Sequence, residues 1–317
     1  MESIDPLLIA ERASALKFYS PYNFLRTVAA TEAYESSFGI GKISDFAADS
    51  VHNAVFNHEG GTLLYTGLPW DSNFFGCPTY KLLTGLFSHT SSLIERVNSV
   101  RSFENNLALE GDYYCFSEVP CEDIMLLQAL SASGWQLIET RLLYYRDNLQ
   151  SFNEERYPVR LAQINESERI AEISASVRNQ YDRFHADPWF GHEKADSFLG
   201  RYASAAVKGY CDAVLVPDEP NVPVDSFLAI SDLRNDSLAL GVGLSRVVLT
   251  AVGPLNRGWH LKLVSESVHR ARERGDEAIL MTTQSTNRAV FRTSEKLGFK
   301  LGGSSHVLAC HSKLPAR

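Results

Sequence analysis

The sequence has few cysteines, no excess of positive charge and no long apolar run. Its five cysteines are scattered through 317 residues without a Cys-x-x-Cys pair, which indicates reduced thiols rather than a disulfide framework. Metal-binding residue types do not cluster, so we expect no metal site. The net charge of −8 argues against a protein that binds nucleic acid or an anionic membrane surface. Because no apolar run has the length of a membrane span and the first residues carry no basic segment, we expect a cytoplasmic protein.

The composition is that of a folded protein with room for two domains. Hydrophobic residues make up 44% of the chain and charged residues 21%, which excludes a disordered protein. The polar run over residues 146–156 is the best linker candidate, and Pro158 then begins a new unit. We therefore predict an N-terminal α/β domain over residues 1–153, either a degenerate copy of the second domain or a flanking one. The second domain is predicted over residues 154–317.

The apolar pattern of the first half predicts both strands and helices. Residues 63–66 and 113–118 have the composition of strands, and alternation over residues 136–145 suits a half-buried strand. Leucine and valine at near-helical spacing predict one helix over residues 81–100. This half is therefore predicted to be α/β.

The second half predicts a mixed, mostly antiparallel sheet flanked by helices, which is an α+β layout within the broad α/β class. Strands are expected over residues 212–216, 226–232 and 244–252, and a strand–helix–strand pattern follows. Residues 181–190 form a polar and aromatic segment that Pro188 is expected to keep non-helical.

Residues 249–299 have the order of elements of an anion-binding site. A strand over residues 249–252 ends in the turn Gly253-Pro254-Leu255-Asn256-Arg257-Gly258, and a helix is predicted from Trp259. The first amides of a helix lack partners inside the helix, and the helix dipole is positive at that end. The stretch therefore predicts a phosphate- or diphosphate-binding turn.

This stretch contains three short motifs: Arg257-Gly258 in the turn, Asn287 after the second strand, and Lys296-Leu297-Gly298-Phe299 at the end. Together they resemble the acyl-CoA-binding half of the GCN5-related N-acetyltransferase (GNAT) superfamily. In that superfamily the turn amides hold the CoA diphosphate, and the asparagine contacts the CoA arm. The resemblance implies a GNAT fold and an acyl-CoA cosubstrate.

The match departs from the family in two places. Trp259 and His260 follow Gly258, where the family has a second glycine. Ser294 lies seven residues after Asn287, where the family often has a tyrosine that protonates the leaving thiolate. We assign Ser294 to the catalytic group on this ground, and the alternative is a small residue tolerated in a helix. A serine hydroxyl is a poor acid, so the thiolate is expected to leave unassisted or to take its proton through water.

The resemblance also implies which residues bind acyl-CoA. In the family a bulge separates this strand from the next one, and a strand amide donates to the thioester oxygen. Here that amide is expected from Leu249, Thr250 or Val252. Gly253 is expected to leave room for the pantetheine arm, and basic side chains in the turn suit the phosphates. The cofactor-binding residues predicted in this way are Leu249, Val252, Gly253, Asn256, Arg257, Gly258, Trp259, His260 and Asn287, the last of which is also expected to cap its helix.

The best candidate for the general base is His185, because an unperturbed imidazole titrates near neutral pH. Asp187 lies two residues on, where it would orient the imidazole or pair with the ammonium group of the substrate. The alternative for His185 is a residue that caps a helix or contacts the substrate. Arg183 is expected to bind a nucleotide diphosphate, with a surface ion pair as the alternative.

The run Trp70-Asp71-Ser72-Asn73-Phe74-Phe75-Gly76, followed later by Ser133-Gly134-Trp135, carries a second resemblance. It is similar to the N-terminal half of dTDP-fucosamine acetyltransferases and related enzymes that acylate dTDP-3-amino sugars. The resemblance implies substrate-binding roles, and the alternative for the large aromatic residues is a core cluster or a domain interface. The substrate-binding residues predicted are Trp70, Phe74, Phe75, Arg183 and Phe184.

These patterns predict an acyl-CoA-dependent N-acyltransferase that acts on a dTDP-linked amino-dideoxy sugar, such as dTDP-3-amino-3,6-dideoxygalactose, in O-antigen or capsule synthesis. The acyl group is expected to be acetyl or 3-hydroxybutanoyl, and similar proteins are commonly homodimers. Two alternatives stay open. One is another small amine as acceptor, and the other is a non-catalytic acyl-CoA-binding sensor, which the missing tyrosine would permit.

Overall fold

The computed structural model describes residues 4–25, 37–48, 51–177 and 179–312. They form two compact units, and the chain passes from one unit to the other inside two strands. The first unit ends at Thr140 and resumes at Ser304, whereas the second runs from Arg141 to Gly303. This division differs from the boundary at residue 153 expected from the sequence. It also assigns the end of the last strand, from Ser304 onward, to the first unit.

The polar run over residues 146–156 belongs to the second unit and is not a solvated linker. Leu149 and Phe152 are 2% and 1% exposed and lie in the hydrophobic core of that unit. The Phe152 ring packs 4.8 Å from the ring of His269, and Arg156 pairs with two glutamates of the same unit. Two apolar residues within a polar run are therefore enough to anchor it, because their burial outweighs the polarity of their neighbours.

The first unit is built from a mixed sheet and helices on both sides of it. Its strands are β1 Asn53–His58, β2 Gly61–Gly67, β3 Thr79–Leu86, β4 Tyr114–Pro120, the start of β5 Gln136–Asp147, and the end of β11 Lys300–His311. Its helices are α1 Pro6–Leu16, α2 Ile40–Ser44, α3 Pro69–Phe75, α4 Leu93–Ala108 and α5 Ile124–Ser133, with 3₁₀ turns at Lys17–Tyr19 and Phe46–Ala48.

The strand order of this unit is β1-β2-β3-β4-β11, in which β3 and β4 are parallel and the other neighbours are antiparallel. Adjacent residues of β2 point to opposite faces. Leu63 packs in a core with α4 and α5, whereas Leu64 packs in a core with α1. Helices therefore cover both faces of this sheet.

The single helix predicted over residues 81–100 is wrong, because the first part of that range is the strand Thr79–Leu86. Helix α4 begins only at Leu93, where a capping box closes its first turn. The Ser92 hydroxyl accepts from the Glu95 amide at 3.3 Å, and the Ser92 amide donates to the Glu95 carboxylate at 2.7 Å. The spacing of leucines continued across the loop by chance, whereas the capping box marks the true start of the helix.

The second unit has the mixed, mostly antiparallel sheet that the sequence predicts. Its strands are the rest of β5, β6 Val159–Leu161, β7 Ala213–Pro217, β8 Ser226–Ser231, β9 Leu244–Val252 and β10 Ala278–Gln284. Its helices are α6 Ser167–Ser176, α7 Arg183–Ala186, α8 His192–Ala205, α9 Arg234–Leu240, α10 Trp259–Glu273 and α11 Arg288–Lys296, with shorter turns at Leu149–Ser151, Ile164–Glu166, Ala206–Tyr210 and Pro254–Asn256.

The strand order here is β5-β10-β9-β8-β7-β6, and only β9 and β10 are parallel. Leu228 and Ile230 of β8 pack in one core with α10 and α11. The residues between and before them, Ala229 and Phe227, pack in another core with α6 and α8. The sheet is therefore flanked by helices on both faces, as predicted.

The two units share one arrangement of elements. In each, a parallel pair of strands is joined through a helix: β3–α4–β4 in the first and β9–α10–β10 in the second. In each, the parallel pairing extends over four residue pairs. The first unit is thus α/β as expected, and its origin as a degenerate copy of the second stays a prediction. No helix within the described ranges is long and apolar enough to cross a membrane.

The segment over residues 181–190 contains one short helix, α7, where the sequence predicted none. The Asp182 carboxylate caps it by accepting from two amides of its first turn, at 2.8 and 3.1 Å. The helix stops at Asp187, which has an extended backbone, because the following Pro188 disfavours a helical residue before it. Proline therefore ends this helix without preventing the turn before it.

Candidate functional site

The parallel strands β9 and β10 separate halfway along their length. They pair only from Leu244 with Ala278 to Val247 with Met281. Beyond that point β10 pairs with β5 and β9 pairs with β8. An opening therefore lies between the last residues of β9 and those of β10.

A β-bulge in β9 coincides with the start of this opening. Val247 pairs with Ile230 and Leu249 pairs with Ala229, so Val248 is an extra residue in β9. Val248 and Leu249, although adjacent, both pack against the core of α6 and α8. A bulge bends its strand and increases the local twist, which accounts for the separation from β10.

The orientation of the β9 amides follows from the turn that ends the strand. The Gly253 amide donates to the Asp225 carbonyl of the β8 side at 2.7 Å. Because amides alternate in direction along a strand, the amides of Ala251 and Leu249 also face β8. The amides of Thr250 and Val252 then face the opening. Of the donors predicted from the sequence, the amides of Thr250 and Val252 face the opening, whereas the Leu249 amide belongs to the β8 ladder. The contacts of Thr250 and Val252 with a ligand stay predictions.

The turn after β9 leads into an uncapped helix. Gly258 is the N-cap of α10 and has the left-handed φ of 90°, which glycine adopts without strain. Within the described residues, no side chain caps this helix, and its first turn carries no acidic residue. Arg257 and Gly258 are exposed. First-turn amides, a positive dipole end and an exposed guanidinium therefore meet at the end of the opening, as an anion site requires.

Asn256 and Trp259 point inward from the turn. Asn256 is 1% exposed, and its amide nitrogen donates to the Pro223 carbonyl at 3.0 Å and to the Ser226 hydroxyl at 2.9 Å. Trp259 is 5% exposed and lies in the core, with the Lys262 ammonium 4.3 Å from its ring. Both side chains hold the turn in place, so any contact of these residues with a ligand would come through their backbone.

Gly253 leaves space for a carboxylate of the protein, and the contact with the pantetheine arm predicted from the sequence stays a prediction. A Cβ atom at this position would lie 2.3 Å from the nearer carboxylate oxygen of Asp225. The reason for glycine here is thus an internal contact, which the sequence pattern did not reveal.

His260 is not the basic phosphate ligand that the sequence predicted. Its Nδ1 lies 2.9 Å from the hydroxyl of Thr293 on α11. Burial lowers the pKa of His260 to about 4, because water no longer stabilises the charged imidazolium. The imidazole is therefore neutral near pH 7 and joins α10 to α11, and Arg257 carries the positive charge of the turn.

Asn287 and Ser294 lie on α11 as predicted. Asn287 is the N-cap, and its Oδ1 accepts from the Val290 amide at 3.3 Å. Ser294 is fully buried, and its hydroxyl has no hydrogen-bond partner in the part of the chain that the structure describes. The helix therefore turns the serine inward.

His185 cannot serve as the predicted general base in this arrangement. Its Nδ1 lies 2.8 Å from the Asp182 carboxylate and its Nε2 lies 2.9 Å from the Asp196 carboxylate. Both ring nitrogens are committed, so neither offers a lone pair to a substrate. Asp187 does not bond to the ring, because both ring nitrogens pair with other carboxylates; its own carboxylate accepts from the Trp189 amide at 2.9 Å. His185 instead ties α7 to α8.

Arg183 and Phe184 pack within an aromatic cluster of the same unit. Arg183 is 7% exposed, and its guanidinium lies 4.4 Å from the Phe184 ring centroid. The Phe184 ring contacts Phe198 at 4.4 Å and Phe190 at 5.1 Å. The predicted substrate contacts of these two residues stay predictions, and their packing against neighbours is the alternative raised from the sequence.

Trp70, Phe74 and Phe75 lie on α3 of the first unit. Trp70 is 39% exposed and stacks on Phe74, with 6.3 Å between centroids and 19° between the planes. Phe75 is 6% exposed and meets Phe74 edge-on at 5.0 Å. Phe75 is therefore a core residue, whereas Trp70 is partly exposed.

In the first unit, the start of α4 corresponds in position to the anion site, but a capping box blocks it. Its α4 begins with the capping box of Ser92 and Glu95, which occupies first-turn amides and adds a carboxylate. The hydrogen bonds from Ser92 lower the pKa of Glu95, so this carboxylate is ionised near neutral pH. The same position that is open and free of acidic residues in the second unit is thus capped and negative in the first.

Comparison with known proteins identifies the fold. No protein-family profile matches the sequence, and no curated protein matches it. The structure is similar to a GCN5-related N-acetyltransferase from Sphaerobacter thermophilus, with 10% identity over 93% of both chains and a TM-score of 0.54. It is also similar to a GNAT-family acetyltransferase from Colwellia psychrerythraea, with 12% identity, 97% and 98% coverage and a TM-score of 0.50.

A third similar structure is a glucosamine N-acetyltransferase region of a fungal multi-domain GH3 β-N-acetylglucosaminidase. It has 15% identity and a TM-score of 0.52, over 79% of this chain and 31% of that one. At these identities the similarity shows the fold, which is the GNAT fold expected from the sequence. The first two structures match this chain over almost their whole length.

Proposed function

We propose that the second unit binds an acyl-CoA and that the protein transfers its acyl group to an amine. The observation that carries the proposal is the opening between β9 and β10, which leads from the inward amides of Thr250 and Val252 to the uncapped start of α10. A strand edge with free amides matches the amide-bearing pantetheine arm, and a helix start with no acidic residue matches a diphosphate.

The two strand amides receive different parts of acyl-CoA in this proposal. Val252 is next to the turn, so its amide would bind the pantetheine arm. Thr250 lies farther from the turn, as the thioester lies farther from the diphosphate, so its amide would donate to the thioester oxygen. As the amine attacks, a C–N bond forms, the C–S bond breaks and the oxygen becomes negative in between. A donor fixed at that oxygen typically contributes about 3 kcal/mol to the barrier reduction.

The proton steps fall to solvent or to the substrate in this account. His185 holds two carboxylates and has no free nitrogen, so we assign it a structural role. Ser294 has the position of the family's acid but only an alkyl hydroxyl. The leaving thiolate then takes its proton from water, which is feasible because a thiolate is a stable leaving group near neutral pH.

For the acceptor we propose the amino group of a dTDP-linked amino-dideoxy sugar, with dTDP-3-amino-3,6-dideoxygalactose as the first candidate. The resemblance of residues 70–76 to dTDP-amino-sugar acetyltransferases supports it. Trp70, which is 39% exposed and stacks on Phe74, is the aromatic residue that we expect to contact the nucleobase. Acetyl and 3-hydroxybutanoyl are the acyl groups to test, and the role in O-antigen or capsule synthesis, the cytoplasmic location and a homodimer belong to the same proposal.

The test is thiol release from acetyl-CoA and from 3-hydroxybutanoyl-CoA, each with the 3-amino sugar nucleotide and with its 4-amino isomer. Mass spectrometry of the product identifies the acylated nitrogen. Turnover with one pair would support the proposal and define both substrates. Binding of acyl-CoA without turnover on these sugars or on a panel of other amines would reject it.

One observation favours a second candidate, an acyl-CoA-binding protein that does not transfer the group. The predicted base is committed to Asp182 and Asp196, and the family's tyrosine is replaced by Ser294. A sensor needs the cradle and the opening but neither of these groups. The same assay separates the two candidates, because a sensor binds acyl-CoA but gives no product with any amine.

A further inference from the structure

A buried carboxylate lies directly beneath the turn that leads into α10. Asp225 is 5% exposed. One oxygen of its carboxylate accepts from the Leu255 amide at 2.9 Å, and its backbone carbonyl accepts from the Gly253 amide at 2.7 Å. Asp225 thus holds the turn at two amides, one at its first residue and one in its middle.

The Asp225 carboxylate occupies the space that a side chain at residue 253 would fill. Gly253 has φ −71° and ψ 169°, which any residue adopts, so the backbone conformation does not require glycine. A Cβ there would lie 2.3, 2.5 and 2.6 Å from Oδ2, Cγ and Oδ1 of Asp225. All three atoms belong to one carboxylate, so the requirement for glycine and the presence of Asp225 are a single feature.

The negative charge of Asp225 is balanced by an arginine from α6. Arg169 Nη2 lies 2.8 Å from Asp225 Oδ1, and its Nε donates to the Val224 carbonyl at 3.1 Å. Without that partner, a carboxylate beside an anion site would repel the anion. Arg169 Nη1 also lies 3.2 Å from the exposed carboxylate of Glu172, so the guanidinium offsets part of the charge of Asp225 while the pair fixes the turn.

We propose that Asp225, paired with Arg169, is the positioning residue of the diphosphate cradle. By holding Gly253 and Leu255 it directs the first-turn amides of α10 toward one point. The inference rests on the proposed function and adds a specificity: the cradle selects a thioester donor with a diphosphate over a shorter pantetheine thioester. Asp225 touches no reacting atom in this account, so its effect falls on donor binding.

The test compares binding of CoA with binding of pantetheine, by calorimetry, in the full-length protein. We expect Asp225→Ala to weaken CoA binding about tenfold, the effect of roughly one lost positioning hydrogen bond, and to leave pantetheine binding unchanged. Gly253→Ala is expected to weaken CoA binding at least as much. The double variant Gly253→Ala with Asp225→Ala should bind CoA more tightly than Gly253→Ala alone, because the added Cβ then meets no carboxylate.

Asp212→Ala is the matched control, since Asp212 also accepts from one backbone amide and pairs with one arginine, away from the turn. It should leave CoA binding unchanged. Asp225→Asn keeps the volume and an acceptor for Leu255, so it provides a folded variant if alanine is not tolerated, with a smaller loss expected.

Two results would overturn the inference. One is an equal loss of CoA and pantetheine binding in Asp225→Ala and Asp225→Asn, or no loss at all, while the unaltered protein binds CoA. The other is a double variant no better than Gly253→Ala. Failure of the unaltered protein to bind CoA would instead reject the proposed function, and the inference would fall with it.

Discussion

Replacing Thr250 by proline removes one amide that faces the opening and no amide of the β8–β9 ladder. The ladder uses the amides of Leu249 and Ala251, so proline at residue 250 resembles proline on an edge strand, where it is tolerated. In the proposed reaction, the lost N–H is the donor to the thioester oxygen. The substitution therefore separates a catalytic contact from a contact that holds the sheet.

The expected magnitude follows from the two groups that the change removes. The Thr250 hydroxyl donates to the Phe227 carbonyl at 2.9 Å, and its loss should cost about 1 kcal/mol of stability. Loss of the oxyanion donor should raise the barrier by about 3–4 kcal/mol, a fall of about 10²–10³ in kcat. KM for acyl-CoA should change little, because the contact strengthens only as the oxygen becomes charged.

Two control variants frame this experiment. Thr250→Val removes the hydroxyl and keeps the amide, so its kcat should stay within about threefold of the unaltered protein. Ala251→Pro removes a ladder hydrogen bond and should lower the melting temperature more than Thr250→Pro does. The assay is thiol release at saturating acyl-CoA, together with a thermal melt of each variant. An unchanged kcat in a folded Thr250→Pro variant would refute the assignment of the donor.

Three further changes test other residues of the site. Stability should fall as the pH is lowered from about 6.5 to about 4, because His260 takes up a proton in the unfolded state but stays neutral in the folded state. In thermal melts, His260→Asn should flatten this dependence on pH. Ser294→Ala should keep turnover within about twofold and stabilise the fold by about 1 kcal/mol, since it removes an unpaired buried hydroxyl; a large loss of kcat would make Ser294 the acid. His185→Asn should lower the melting temperature, because it leaves Asp182 and Asp196 without their shared partner, yet keep kcat in the folded fraction; lost kcat with an unchanged melt would restore His185 as the base.

The elements around the anion site were predictable because their signals are local. Apolar spacing located β9, α10 and β10, and the caps at Gly258 and Asn287 lie next to the helices that they begin. The helix predicted over residues 81–100 failed for a related reason. Its apolar spacing was read without the Ser92–Glu95 capping box, a local signal that was present and would have divided the range.

The roles of individual side chains depended on contacts that the sequence does not display. His185 was expected to be a base from its chemistry, but Asp196 lies eleven residues away and only folding brings it to the second nitrogen. Asp225 was missed because it lies 28 residues before Gly253, and nothing in the turn indicates its partner. The direction of the β9 amides likewise follows from the hydrogen bond between Gly253 and Asp225, a contact across the fold that the sequence does not display.

Hydrogen–deuterium exchange with and without CoA shows which of the two units binds the ligand, because it locates the protected amides along the backbone. We expect slower exchange at Thr250, at Val252 and in the first turn of α10, which starts at Trp259. The capped start of α4 in the first unit, at Ser92 and Glu95, should exchange at the same rate in both samples. Protection at α4 without protection at β9 and α10 would contradict the assignment of the acyl-CoA site to the second unit.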